Sequence, residues 1–130
     1  MRYLTYLVII AVQMAIVFPA TGQSMKKANK KTASYEYSKA IPVLEKIIEK
    51  DKKGKDEATV LLAYCYRMIN DDEKAAKYYG LAMQQEDLAP EVHYHYGQTL
   101  RTLERYDEAR EQFLRYAELL PDDERGKMLA

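Results

Sequence analysis

Two histidines, one cysteine, a Gly-Lys pair and an acidic triplet are the residues here whose types could do chemistry. His93 and His95 stand two apart in a helical stretch. Helix residues two apart point to different sides, so the pair cannot close on one metal ion from there, and His93 reads as a packing residue. Cys65 is the sole cysteine, so no internal disulfide forms. It falls at a small, buried-type helix position, which suits a structural thiol better than a nucleophile paired with a histidine of the next unit. Gly54-Lys55 has no upstream glycine and no Ser or Thr after the lysine, so it is no phosphate loop. Asp71-Asp72-Glu73 lacks the ligand spacing of a calcium loop. Lys26, Lys27, Lys30 and Lys31 form a stripe without an aromatic platform beside it, which suits a solvated face better than a nucleic-acid surface. The residues thus offer no catalytic group, metal ligand or cofactor site, and the chain reads as non-enzymatic.

Helices must position whatever function remains. Ala40, Ile41, Leu44, Ile47 and Ile48 recur at helical spacing over Ser38–Lys50, with Pro42 expected to give a mild kink. Asp51–Lys55 reads as a loop. Asp56–Ile69 follows, with Ala58, Leu62, Ala63 and Tyr66 inward. Asn70-Asp71-Asp72 forms the next turn and offers a cap. Glu73–Gln85 turns Ala75, Ala76, Tyr79 and Ala82 inward and Gly80 outward. Glu91–Leu103 and Tyr106–Leu120 make a second such hairpin about the turn Leu103–Arg105, in a stretch framed by Pro90 and Pro121. Asp122 and Asp123 can cap a last short helix, Glu124–Ala130, which is too short to cover its neighbour well.

Overall charge names no partner, since 20 basic residues balance 20 acidic ones. The halves differ: residues 23–55 hold ten Lys against four acids, and residues 56–130 hold nine basic residues against sixteen acids. Such a split could steer association or favour head-to-tail contact, but solvated helix faces are the simpler account. Residues 1–22 read as a secretory signal. Arg2 precedes an apolar run from Tyr3 to Phe18, and Ala20 and Gly22 have the small-residue spacing a signal peptidase accepts. As a helix the sixteen-residue run would span about 24 Å, short of a hydrocarbon core of about 30 Å. The lysines that follow favour the alternative, a retained anchor facing the cytoplasm.

The helices repeat. Two units start 34 residues apart, at Asp56 and Pro90. They align Ala63 with Gly97, Tyr66 with Leu100, Ala75 with Ala109, Tyr79 with Phe113 and Ala82 with Tyr116. Small residues let paired helices approach, and large ones such as Tyr96, Leu100, Tyr106 and Phe113 fill the space around that contact. A degenerate earlier copy, aligned on Ala28 and Ala40, needs a one-residue insertion. This pattern resembles the tetratricopeptide repeat (TPR) family. The resemblance implies an all-α fold of antiparallel helix hairpins stacked as a short right-handed solenoid. It divides residues 23–121 into repeats near 24–51, 56–89 and 90–123, with residues 122–130 starting a capping or further helix. The departures are His93 where the family has Trp, Tyr116 where it has Ala, and Asp72 where it has an aromatic. A signal followed by YSKAIPVLEKI, AYCYRMINDDEKAAKYY and YDEAREQFLRYAELLPDDERGK is similar to the N-terminal repeats of Bacteroidota-type OmpA-like envelope proteins. Their β-propeller and peptidoglycan-binding domains have no counterpart in this sequence, so the chain is expected to be a piece of a longer protein.

The resemblance also implies where a partner lies: along the inner curve, against the first helix of each unit. Its contact positions fall here on Tyr64, Arg67, Met68, Tyr94, Gln98 and Arg101, together with Glu57, Val60, Glu91 and Thr102. The family's carboxylate clamp uses Lys and Asn at positions held here by Val60, Tyr64, Tyr94 and Gln98, so that mode is not expected. The expected partner is a protein or peptide of the envelope, and the expected address is periplasmic or outer-membrane-associated. Membrane contact is expected only through the N-terminal segment, and self-association through the open C-terminal face.

Overall fold

A computed structural model describes residues 22–50 and 53–130. The signal segment lies outside the described residues except for Gly22, which is helical. All regular structure among the described residues is α-helical. Residues 22–33 form α1, followed by α2 (Tyr37–Lys50), α3 (Lys55–Met68), α4 (Asp72–Ala82), α5 (Pro90–Thr102), α6 (Tyr106–Leu119) and α7 (Glu124–Leu129). From α2 onward each helix packs on the next, and α3 also touches α5. The result is the stack of antiparallel hairpins expected of a short right-handed TPR-type solenoid.

The same turn joins the two helices of each hairpin. Tyr35, Asn70 and Glu104 adopt positive φ angles of 59°, 61° and 60°. Around each of them two backbone hydrogen bonds close the preceding helix in the same way. Glu36 N donates to the Lys31 carbonyl, Asp71 N to that of Tyr66, and Arg105 N to that of Leu100, at 2.8–2.9 Å. Tyr35, Asn70 and Glu104 N donate to the carbonyls of Thr32, Arg67 and Arg101, at 3.0 Å. This left-handed C-cap absorbs carbonyls that a helix end otherwise leaves unpaired. It also brings the degenerate first copy into register with the other two.

Local chemistry sets the starts. The Asp71 carboxylate accepts from Lys74 N at 3.2 Å and caps α4. Pro90 is the first residue of α5, where its missing N–H costs nothing. Asp123 caps α7 by accepting from Arg125 N at 3.0 Å. The helix α2 runs unbroken through Pro42. One end differs by more than a single residue from expectation: α4 stops at Ala82, three residues before Gln85. Lys55, expected in the preceding loop, is the first residue of α3.

The core follows the repeat. Ala28, Leu44, Ala63, Ala75, Tyr79, Leu100 and Phe113 are buried in one cluster. Close approach is most demanding at Gly97, where a Cβ would stand 2.7–3.0 Å from the Phe113 ring. Cys65 is fully buried, its Sγ 3.9 Å from Thr32 Oγ1 of α1, and burial pushes its thiol pKa up.

Two side chains depart from expectation. Gly80 does not face outward: a Cβ there would meet the Tyr96 hydroxyl of α5 at 3.4 Å. The second helix of a unit is sandwiched between its own partner and the next unit's first helix, so its far side is an interface. Tyr106 is not a filler; as the first residue of α6 it sits at the turn rim and is 62% exposed.

Candidate binding groove

The first helices of successive units, α3 and α5, lie side by side and present the expected contact positions. Arg67 Nη2 of α3 donates to Gln98 Oε1 of α5 at 2.6 Å, joining two of these residues across the units. The Tyr64 ring lies 5.7 Å from His95. Met68 is 37% exposed beside Arg67, and Arg101 is exposed one turn past Gln98.

Tyr94 is placed differently from an open groove residue. Its ring packs against Phe113 at 6.0 Å and Tyr116 at 5.2 Å, and the Arg125 guanidinium covers it at 5.0 Å. Arg125 is held by Asp123, at 2.6 Å, and donates to the Tyr116 hydroxyl at 2.7 Å. The Tyr116 hydroxyl in turn donates to Asp123 Oδ2 at 2.7 Å. These contacts hold the Asp123 carboxyl well below the usual carboxylate range, the guanidinium hydrogen bond contributing most. Short as it is, α7 therefore docks on α6 through an organised polar cluster, with Gly126 seated against Ala117 and Tyr116.

The groove carries a row of rings that sequence reading did not assemble. It runs Tyr35–Tyr37 (6.2 Å), Tyr37–Tyr64 (6.0 Å), Tyr64–His95 (5.7 Å) and His95–Tyr94 (5.8 Å), and ends at Tyr116 under Arg125. His95 is its centre. The available signal was the spacing Glu91–His95–Gln98, which places His95 on the same helix stripe as two expected contact residues. His93 faces elsewhere, its Nδ1 2.9 Å from Gln112 Oε1 of α6.

Between α3, α5 and the α4–α5 loop lies a pocket of about 370 Å³. Val60, Leu61, Leu88 and Val92 give it apolar walls, and Tyr64, Tyr79 and His95 give it rings. Exposed Glu57, Asp87 and Glu91 also line it. Two wall residues carry buried polar atoms with no hydrogen-bond partner, the Tyr79 hydroxyl and His95 Nδ1. Such atoms cost about 1–3 kcal/mol each when left unmatched. Burial, reinforced by the charge of Arg67, lowers the His95 pKa below its ordinary 6.5, so the imidazole is neutral near neutrality. Burial likewise raises the Tyr79 pKa and keeps the phenol protonated. Among the described residues, no group of three or more His, Cys, Asp or Glu side chains is arranged to hold a metal ion. None of their helices is long and apolar enough to cross a membrane.

Stacked hairpins with a groove along their first helices define a helical-repeat domain of the tetratricopeptide type. The chain belongs to the family described as anaphase-promoting complex, cyclosome, subunit 3, whose model matches residues 33–116. No curated protein matches the chain. Among solved structures it is similar to the first TPR of Spaghetti (RPAP3) bound to an HSP90 peptide, with a TM-score of 0.73 at 19% identity, covering 83% of this chain and 85% of that one. It is similar to the Arabidopsis OM64 TPR domain, with a TM-score of 0.73 at 18% identity over 85% and 90% of the two chains. The first TPR domain of human RPAP3 gives a TM-score of 0.70 at 19% identity over 83% and 84%.

Proposed function

We propose that this chain is an exported, non-enzymatic interaction scaffold of the bacterial cell envelope. It holds a partner segment in the groove through Tyr64, Arg67, Met68, Gln98 and Arg101, with Tyr94 supporting this surface from beneath Arg125. The observation that carries this reading is the aromatic row, with the Arg67–Gln98 bond joining adjacent groove helices beside it. Tyr and Arg are the side chains most often found as interface anchors. One similar structure, the first TPR of Spaghetti, is bound to an HSP90 peptide; for this chain the proposed mode is a peptide lying against the first helices. Val60, Tyr64, Tyr94 and Gln98 stand where a carboxylate clamp would need Lys and Asn, so contact is to the body of the segment. The envelope address rests on the apolar N-terminal run with Ala20 and Gly22 and on the likeness to Bacteroidota-type OmpA-like proteins. The partner, on this reading, belongs to an outer-membrane or secretion assembly.

Replacing Tyr64, Arg67, Tyr94 and Arg101 together by Ala should abolish partner recovery from an envelope extract while far-UV circular dichroism stays helical. Undiminished recovery refutes the groove assignment. The Lys stripe, exposed at Lys26, Lys27 and Lys30, favours a second reading, an uncleaved anchor with the repeats in the cytoplasm. N-terminal sequencing of the protein from cells separates the two: a start near Gln23 supports export, and a retained Met1 supports the anchor.

A further inference from the structure

We propose that the pocket between α3 and α5 is an anchor subsite for a tyrosine side chain that the partner segment carries beside a lysine or arginine. The inference rests on the groove reading and adds the chemistry of the occupant. The walls are apolar and aromatic, as in sites that enclose one side chain or a small ligand, and the volume of about 370 Å³ is within the range of such sites. The wall residue Tyr79 is 1% exposed and its hydroxyl is unpartnered. The pocket therefore rewards an occupant that brings a hydrogen-bonding group along with apolar surface.

The field inside the pocket narrows that group. The positive charge of Arg67 reaches both Tyr79 and His95, opposing the burial-driven rise of the Tyr79 pKa and adding to the burial-driven fall at His95. A cationic tip beside them is therefore repelled. A carboxylate tip would lose its hydration against two neutral partners, which is costly. A neutral hydroxyl on an aromatic ring meets both demands: it can donate to His95 Nδ1 or accept from Tyr79, and its ring lies among the rings of the wall. The exposed acids Glu57, Asp87 and Glu91 make the opposite demand of the flanking residue. They attract a cation that stays in solvent while the ring is buried.

Three small probes test this on the full, isotope-labelled chain by following the amide signals of Val60, Tyr64 and His95. Tyramine carries the phenol and the cation, phenethylamine lacks the hydroxyl, and 4-hydroxyphenylacetate replaces the cation with an anion. Tyramine should bind about three- to tenfold more tightly than either relative, the effect of one hydrogen bond or one charge contact. Tyr79→Phe, which removes an unpartnered hydroxyl while keeping the ring, should weaken the preference for the phenol, leaving only the His95 contact, and keep that for the cation. Glu57→Gln with Glu91→Gln should do the reverse. Equal binding of the three probes, or shifts that avoid the pocket, overturns the proposal. Partner recovery with the fourfold groove variant reads the groove itself, so a failure there is distinguishable from a failure of the pocket.

Discussion

Gly97→Ala and Gly80→Ala make the same chemical change in two helices and should move stability in opposite directions. In an exposed helix the change gains about 1 kcal/mol, because glycine is the more flexible residue in the unfolded chain. At Gly80 the new methyl meets the Tyr96 hydroxyl at 3.4 Å, an ordinary contact, so most of that gain survives. At Gly97 three atoms of the Phe113 ring stand 2.7, 2.9 and 3.0 Å away. That ring is 1% exposed and is backed by Tyr94 at 6.0 Å, so it has little room to retreat. Overpacking of this kind costs about 1–3 kcal/mol, leaving Gly97→Ala neutral to about 2 kcal/mol destabilising. The two variants should then differ by about 1–3 kcal/mol. At about 4–8 °C per kcal/mol for a domain of this size, their thermal midpoints separate by roughly 4 °C or more. Thermal and urea unfolding followed by far-UV circular dichroism measures this. In a Phe113→Leu background the Gly97→Ala change should cost less than in the natural chain, since the obstructing ring is gone. The close-packing argument fails if Gly97→Ala is as stable as Gly80→Ala, or if the Phe113→Leu background makes no difference.

The remaining expectations concern His95 and the docking of α7. Because the folded-state pKa of His95 is depressed, the unfolded chain takes up a proton first as pH falls, so stability is fully present above the ordinary value of 6.5 and declines below it. Urea midpoints measured across that value should fall on acidification, and His95→Gln should flatten the slope; an unchanged slope would show that His95 is not the group responsible. Gly126→Ala places a methyl 2.9 Å from the Ala117 backbone nitrogen, an atom that cannot step aside. The short helix α7 should detach, with fast amide exchange over Glu124–Leu129 and little change in the exchange of α3 and α4. Retained protection of α7 would contradict the expected clash.

Much of the hairpin architecture was legible because it is a matter of spacing. Ala63, Ala75, Tyr79, Gly97, Ala109 and Phe113 recur at intervals that only a paired-helix repeat satisfies, and all six are buried. What was not legible depends on which neighbour a face meets. Gly80 looked outward because periodicity was judged within one hairpin, whereas its environment is set by Tyr96 in the next. Tyr94 was read as an open groove residue because its cover, Arg125, comes from a helix too short to have been credited with much packing. The pocket had no sequence signal of its own: its walls draw on α1, α3, α4, α5 and the loop between α4 and α5, and its two unpartnered atoms sit on Tyr79 and His95, sixteen positions apart.

The turns show why even a degenerate copy keeps its place in the stack. Tyr35, Asn70 and Glu104 share a left-handed conformation, which side chains other than glycine adopt at a cost of about 1–3 kcal/mol. Only Asn70 is a residue type that commonly accepts it. Tyr35 and Glu104 are held there by what surrounds them, through the two backbone hydrogen bonds that all three turns share. The turn geometry is thus imposed by helix pairing, and the residue at the turn merely tolerates it. That is why the first hairpin could lose most of its repeat signature yet still deliver Tyr35 and Tyr37 to one end of the aromatic row. The groove is accordingly a property of the stack: each hairpin contributes one to three rings, and the surface becomes continuous because the same turn sets every hairpin in the same orientation.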